Sequence, residues 1–218
     1  MNKILFLSVS FILVFLPIFA MLTFAEELKP IQLLKPQLDK GRPLMQVLKD
    51  RSSSRSFSKE KLSLQVISDL LWAAFGVNRT ETGKRTAPSA MNWQEIDIYV
   101  ATSDGLYLYD AKAQMLKPIL SEDIRAMTGR QEFIKDAPIN LIYVADYSRM
   151  GNATNEDKDF YSAADTGFIS ENVYLYCASE GLATVVRGSI DRQAMAKVMK
   201  LRSDQKVILA QSVGYPKK

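Results

Sequence analysis

The segment Asn140-Leu-Ile-Tyr-Val-Ala145 constrains the fold most, because after its first residue it is apolar without a break. A strand with one wet face alternates apolar and polar residues, so an unbroken run reads as a strand buried on both faces. Such a strand needs cover on each side. Leu64 to Phe75 offers some, with Ile67, Leu70, Leu71, Ala74 and Phe75 at helical spacing, Ser63 as N-cap and Gly76 as the stop. The longest helical pattern runs from Asp159 to Gly181, with Phe160, Ala164, Gly167, Phe168, Tyr174, Cys177 and Ala178 forming much of one face. Asp191 caps a further helix through Met199, Met45 to Leu48 starts a short one, and Ser121-Glu-Asp123 opens another with acidic residues in its first turn.

The other strands are short. Ile96 to Val100 alternates, Ser103-Asp-Gly105 turns, and Leu106 to Tyr109 returns as the second arm of a hairpin. Ala183 to Val186 and Lys206 to Val213 are two more. Residues 77–95 read as a polar loop. A hairpin, separate helices and no βαβ rhythm favour α+β over a doubly wound sheet. There is no internal repeat, no GxGxxG and no GxxxxGK[ST].

Two absences narrow the chemistry. The 218 residues include no histidine, which excludes a Ser-His-Asp triad, histidine zinc sites and histidine acid–base catalysis. Cys177 is the single cysteine, so neither an internal disulfide nor a multi-cysteine metal site can form. A chain this poor in catalytic side chains is either not an enzyme or borrows its chemistry from a cofactor. The formal charge of +4 is mild and lacks a basic run, which gives no indication of nucleic acid.

Residues 1–25 form a separate unit. Lys3 supplies a positive start, Ile4 to Phe24 is uncharged and almost wholly apolar, and Thr23-Phe-Ala25 offers small residues where a signal peptidase reads. Pro17 interrupts the run, favouring a cleaved signal peptide over an uncleaved membrane anchor. Either outcome puts the folded part outside the cytoplasm, periplasmic or extracellular. Residues 26–44 are a lead-in in which Pro30, Pro36 and Pro43 limit regular structure, and residues 45–218 form the folded domain.

Four segments carry candidate binding chemistry. Arg51-Ser-Ser-Ser-Arg-Ser-Phe57 brackets hydroxyls with two guanidinium forks, a combination suited to a phosphorylated ligand. Arg85-Thr-Ala-Pro-Ser-Ala-Met-Asn-Trp-Gln94 leads into the first strand of the hairpin. The long helix holds Asp165-Thr-Gly167 and Glu171-Asn172, and runs through Ser179-Glu-Gly-Leu182 into Ala183-Thr-Val-Val-Arg-Gly188. Val213-Gly-Tyr-Pro216 ends the last strand. The bland readings are surface charges for Arg51 and Arg55, strand capping for Asn92 and Gln94, core or dimer packing for the Tyr174/Cys177 face, and packing for Trp72 and Trp93.

In order and spacing, these segments resemble the nitroreductase family of FMN-dependent oxidoreductases over roughly residues 45–216. The Arg-Thr-Ala-Pro-Ser-Ala phrase is most similar to the branch that includes thiazole/oxazole-forming peptide dehydrogenases. The resemblance implies an α+β fold, a mixed sheet flanked by helices, in an intertwined homodimer with FMN at the subunit interface. It implies that Arg51 pairs with the FMN phosphate, that Ser52 and Ser53 hydrogen-bond the phosphate and flavin edge, and that Arg55 sits by the flavin N1/O2 edge. Pro88, Ser89, Ala90 and Asn92 resemble the loop lining the flavin, largely from the second subunit. Val186, Arg187 and Gly188 fall where the family places backbone N–H groups near flavin N5.

Two departures stand out. The family often has glycine at the position of Arg187, whose side chain would then enter the substrate space or point to solvent. Basic residues normally continue beyond Gly-Tyr-Pro, where this sequence has Lys217-Lys218, either substitutes or a solvated tail. The function implied is two-electron transfer, as hydride at flavin N5, to or from a nitro, quinone or related small molecule. The family's usual donor, NADH or NADPH, is not expected outside the cytoplasm. A non-catalytic flavin-binding or interaction module on the same fold is the alternative, and a flavin-free scaffold is a third.

Overall fold

The computed structural model describes residues 27–217, so the expected signal segment and Lys218 lie outside the described residues. Among the described residues, nine strands and four α-helices occur in the order β1 (Ile31–Gln32), α1 (Leu44–Asp50), α2 (Leu64–Phe75), β2 (Val77–Arg79), β3 (Lys84–Arg85), β4 (Ile96–Ala101), β5 (Leu106–Asp110), β6 (Met115–Leu120), β7 (Ile139–Asp146), α3 (Asn155–Glu180), β8 (Ala183–Arg187), α4 (Arg192–Val198) and β9 (Gln205–Gly214). Seven strands form one sheet in the order β1-β6-β5-β4-β7-β9-β8, and β2 with β3 makes a small separate hairpin. Every pairing in the large sheet is antiparallel.

The apolar run falls in β7, which pairs with β4 on one side and β9 on the other. Its side chains alternate between two cores. Ile139, Leu141, Tyr143 and Ala145 join Leu70, Leu71, Ala74 and Phe75 of α2 and Ile169, Val173 and Cys177 of α3. Ile142 and Val144 join Met195 of α4, with Ile190 and Met199 flanking that helix. Both faces are covered, so no polar alternation is required.

Local chemistry sets the helix ends. Ser63 Oγ accepts from Val66 N at 3.3 Å and starts α2. Gly76 ends it by close approach, since a Cβ there would lie 2.6 Å from the Trp72 carbonyl oxygen. α3 begins four residues earlier than expected because Thr154 Oγ1 accepts from Asp157 N at 3.1 Å, with Glu156 and Asp157 favourably placed in the first turn. Gly181 stops α3 in the left-handed conformation at φ 69°.

Several expectations need correction. The lead-in is part of the sheet: β1 pairs with β6, and Leu33 is buried. Leu34 N and Gln37 N donate to Ser68 Oγ and Asp69 Oδ1 of α2. Residues 77–95 contain the β2/β3 hairpin. Ser121–Asp123 opens no helix, and only a 3-10 turn follows at Arg125–Met127. The apolar face expected on α3 is split in two. Tyr174 and Cys177 are buried, whereas Phe160 and Phe168 are 66% and 50% exposed, so a second apolar stripe is left uncovered among the described residues.

Candidate functional site: a cation-rich edge at β8

Strand β8 pairs with β9 on one side and, among the described residues, with no strand on its other, open edge. The Arg51–Phe57 segment runs along that edge, where Ser54 N donates to Thr184 O at 2.9 Å. The Gly-Tyr-Pro segment closes the same corner. Phe57 bridges Pro216, Ser58 N donates to Tyr215 O, and Lys217 N donates to Ser56 O. The Lys217 backbone is therefore tied beside the Arg51–Phe57 segment and is not a loose tail. Three of the four segments singled out in the sequence thus meet within one protomer.

The residue that joins them is Tyr174. Its hydroxyl sits 2.9 Å from Ser53 Oγ and accepts from Val186 N at 2.9 Å. The Arg51 guanidinium lies 5.4 Å from the centre of its ring. Sequence reasoning placed Tyr174 on a packing face. Its ring is indeed buried, but its hydroxyl works at the edge of the candidate site. Helical spacing reports only which side of α3 a residue occupies, not where a phenolic oxygen reaches.

Ser52, Ser53 and Arg55 are exposed and Arg51 is half-buried. Among the described residues, neither Arg51 nor Arg55 has a carboxylate partner. Arg42 and Lys59, nearby in sequence, are paired with Asp50 and Asp136. A cleft of about 800 Å³ lies along the seam of Phe57–Glu60 with Tyr215–Lys217, lined by the ends of two candidate segments but by neither Arg51 nor Arg55.

Of the backbone donors expected at Val186, Arg187 and Gly188, that of Val186 is already taken by Tyr174. Strand alternation turns the Arg187 N–H toward β9 and leaves Gly188 as the expected donor on the open edge. The Arg187 side chain enters neither substrate space nor solvent. It is buried, donating to Thr128 O at 2.7 Å, to Asn140 Oδ1 at 2.8 Å and to Thr128 Oγ1 at 3.2 Å. Burial pushes its pKa down to about 10, so it remains charged at neutral pH.

The Pro88–Asn92 loop lies elsewhere. Ala90 N donates to Asp165 Oδ2 at 2.8 Å, and Asp165 is nine residues before Tyr174 on α3, about 13 Å of helix rise. The loop therefore does not meet Arg51 and Val186 through Tyr174 in this protomer. It is held in a costly shape: Met91, Asn92 and Gln94 adopt φ of 50°, 55° and 49°. Ser89 Oγ accepts from Gln94 N, Asn92 Oδ1 accepts from Gln94 Nε2, and Arg85 Nε donates to Gln94 Oε1. Beneath it lies a pair that no sequence pattern announced. Glu95 and Asp165 are both buried, and neither Glu95 oxygen has a hydrogen-bond partner among the described residues. Burial first, and the Asp165 carboxylate second, push Glu95 up to about 7. Burial also raises Asp165, partly offset by the Ala90 N–H.

The fold, an antiparallel sheet between α2/α3 and α4, is shared with solved structures of the nitroreductase type. The family's profile matches residues 48–215, and the chain belongs to the nitroreductase family. A protein of Methanocaldococcus jannaschii named as a candidate nitroreductase, MJ1384, is 32% identical over 169 residues, 73% of this chain and 85% of its own. The crystal structure of a candidate nitroreductase from Ralstonia eutropha JMP134 superposes with a TM-score of 0.84 at 42% identity, covering 89% of this chain and 92% of that one. The NADPH:FMN oxidoreductase of Vibrio harveyi complexed with NAD+ shares the fold at a TM-score of 0.62 and 17% identity, covering 80% and 69%. Family members typically bind flavin.

Proposed function

We propose that this protein is an exported FMN-dependent oxidoreductase that passes two electrons to or from a nitro, quinone or related small molecule. The observation that carries the reading is the pair Arg51 and Arg55, without carboxylate partners among the described residues, beside the hydroxyls of Ser52 and Ser53 and the open edge of β8. A phosphate and an electron-rich ring edge would fill those donors. Bound there, FMN would supply hydride chemistry that no side chain of this histidine-free chain can perform.

The residues present fit that group. Arg51, held over the Tyr174 ring, would take the phosphate with Ser52 and Ser53. Arg55 would face the ring edge where negative charge develops on reduction. Gly188 would present its N–H from the open edge. The donor and the physiological acceptor stay at the level of chemical class, with NADH, NADPH or a reduced quinone as donors to compare.

A homodimer completes the proposal. Phe160 and Phe168 on α3, Leu44, Met45 and Leu48 on α1, and Met91 at the loop tip expose apolar surface that a second copy would cover. That copy would bring its Pro88–Asn92 loop to the first protomer's flavin. Light scattering should give twice the chain mass. Export rests on residues 1–25, since among the described residues no helix is long and apolar enough to cross a membrane. Amino-terminal sequencing of the secreted protein should begin near residue 26, and a chain beginning at Met1 would refute cleavage.

Titration of purified protein with FMN tests the reading. Saturable binding that weakens in Arg51→Ala is the expected result, and no binding would end it.

A further inference from the structure

Arg187 is an unusual use of charge. The residue is 4% exposed, and its three hydrogen bonds all go to neutral groups: the Thr128 carbonyl, the Thr128 hydroxyl and the Asn140 amide oxygen. Its Nε has no partner among the described residues. Among the described residues no carboxylate lies against it, and burial alone accounts for its lowered pKa. Arginine is the residue best suited to being buried, but an uncompensated buried cation still costs several kcal/mol.

The surroundings accommodate that cost by construction. Position 129 is glycine, and a Cβ there would sit 2.2 Å from Arg187 Nη1. Asn140 is held by donating to Ile134 O at 3.0 Å, and its oxygen accepts from both Arg187 and Ser212. Three neutral partners would equally suit a neutral hydrogen-bonding side chain. What arginine adds is a fixed positive charge.

Its position gives that charge something to act on. Arg187 lies between Val186, whose N–H faces the open edge of β8, and Gly188, the next residue expected to face it. The side chain turns into the protein, to the Thr128 and Asn140 partners, and is shielded from water. In such an interior a unit charge is felt over longer distances than in solvent.

We propose that Arg187 is a positioning residue in the electrostatic sense: a buried, uncompensated cation that raises the reduction potential of a flavin held against the open edge of β8. This rests on the flavin reading above. Two-electron reduction adds negative charge to the ring, and a fixed cation behind the strand favours that state without touching the ligand. Arg55 would act from the solvent side and Arg187 from within.

The test is the midpoint potential of FMN bound to the full-length wild type and to three variants, measured by equilibration with a reference dye. Arg187→Lys keeps the charge and loses part of the hydrogen bonding, whereas Arg187→Gln loses the charge and keeps some donor capacity. Asn140→Asp keeps the guanidinium and sets a carboxylate beside it at the present 2.8 Å contact. The glutamine and aspartate variants should shift the oxidised-to-reduced ratio at fixed poise about tenfold toward oxidised, about 30 mV for a two-electron couple. The lysine variant should stay near wild type.

A purely structural role predicts equal potentials in all proteins that bind FMN, and that result overturns the proposal. If one Arg187 variant does not fold, the remaining one and Asn140→Asp decide the question. A wild type that binds no FMN overturns the flavin reading and this proposal together, whereas binding with invariant potentials overturns this proposal alone.

Discussion

Helix α3 serves two polar sites of opposite character. Near its C-terminal end, Tyr174 ties Ser53 to Val186 beneath the Arg51 guanidinium, which has no carboxylate partner among the described residues. Nearer its middle, Asp165 meets Glu95, two buried carboxyls with no cation bonded to either. The first site is open and positive, suited to taking a ligand from solution. The second is closed and acidic, and burial disfavours the charged form of each acid. Cations left unpaired at a surface mark a place to bind, whereas acids left unpaired in a core mark a place that resists ionisation.

The sharpest way to break the contrast is at the buried cation that backs the positive site. Gly129→Ala puts a methyl group 2.2 Å from Arg187 Nη1 and should cost about 3 kcal/mol of stability by urea unfolding. A neutral outcome would mean the guanidinium can move. Arg51→Ala should weaken FMN binding by roughly 1.5–3 kcal/mol, about tenfold to a hundredfold in Kd, with the unliganded stability little changed.

The acid pair is probed by pH. Glu95 releases its proton from the unfolded chain near its ordinary value of 4.5 but from the folded protein only near 7. Between those values the native state holds more protons, so stability falls as pH rises, by on the order of 1–3 kcal/mol. Glu95→Gln should flatten that slope and be more stable than wild type at pH 8. An unchanged slope would place the titration elsewhere. Smallest, Tyr174→Phe removes one hydroxyl with two partners and should cost about 1–2 kcal/mol by thermal or urea unfolding.

What the sequence made legible was local. Ser63 and Gly76 bound α2 at the expected residues, because a cap and a close approach are decided by immediate neighbours. The unbroken run at 140–145 marked the doubly covered strand. β6 escaped notice because Pro118 sits within it and breaks the usual strand signature, a residue tolerated where no ladder N–H is required. β1 is only two residues long. Arg51 and Ser53 stand out by their own chemistry, a guanidinium fork beside hydroxyls. The Glu95–Asp165 contact joins residues 70 apart in sequence, and neither carries a local sign of the other. Nor does a sequence say which way Arg187 turns, since strand alternation assigns a face but not what waits on it.

The central claim is that the open positive corner is a flavin site, and the absorption spectrum of the purified protein tests it most directly. A yellow protein, or a colourless one that acquires a saturable flavin spectrum when FMN is added, is the result expected. A protein that stays colourless and leaves added FMN spectrally unchanged would contradict it.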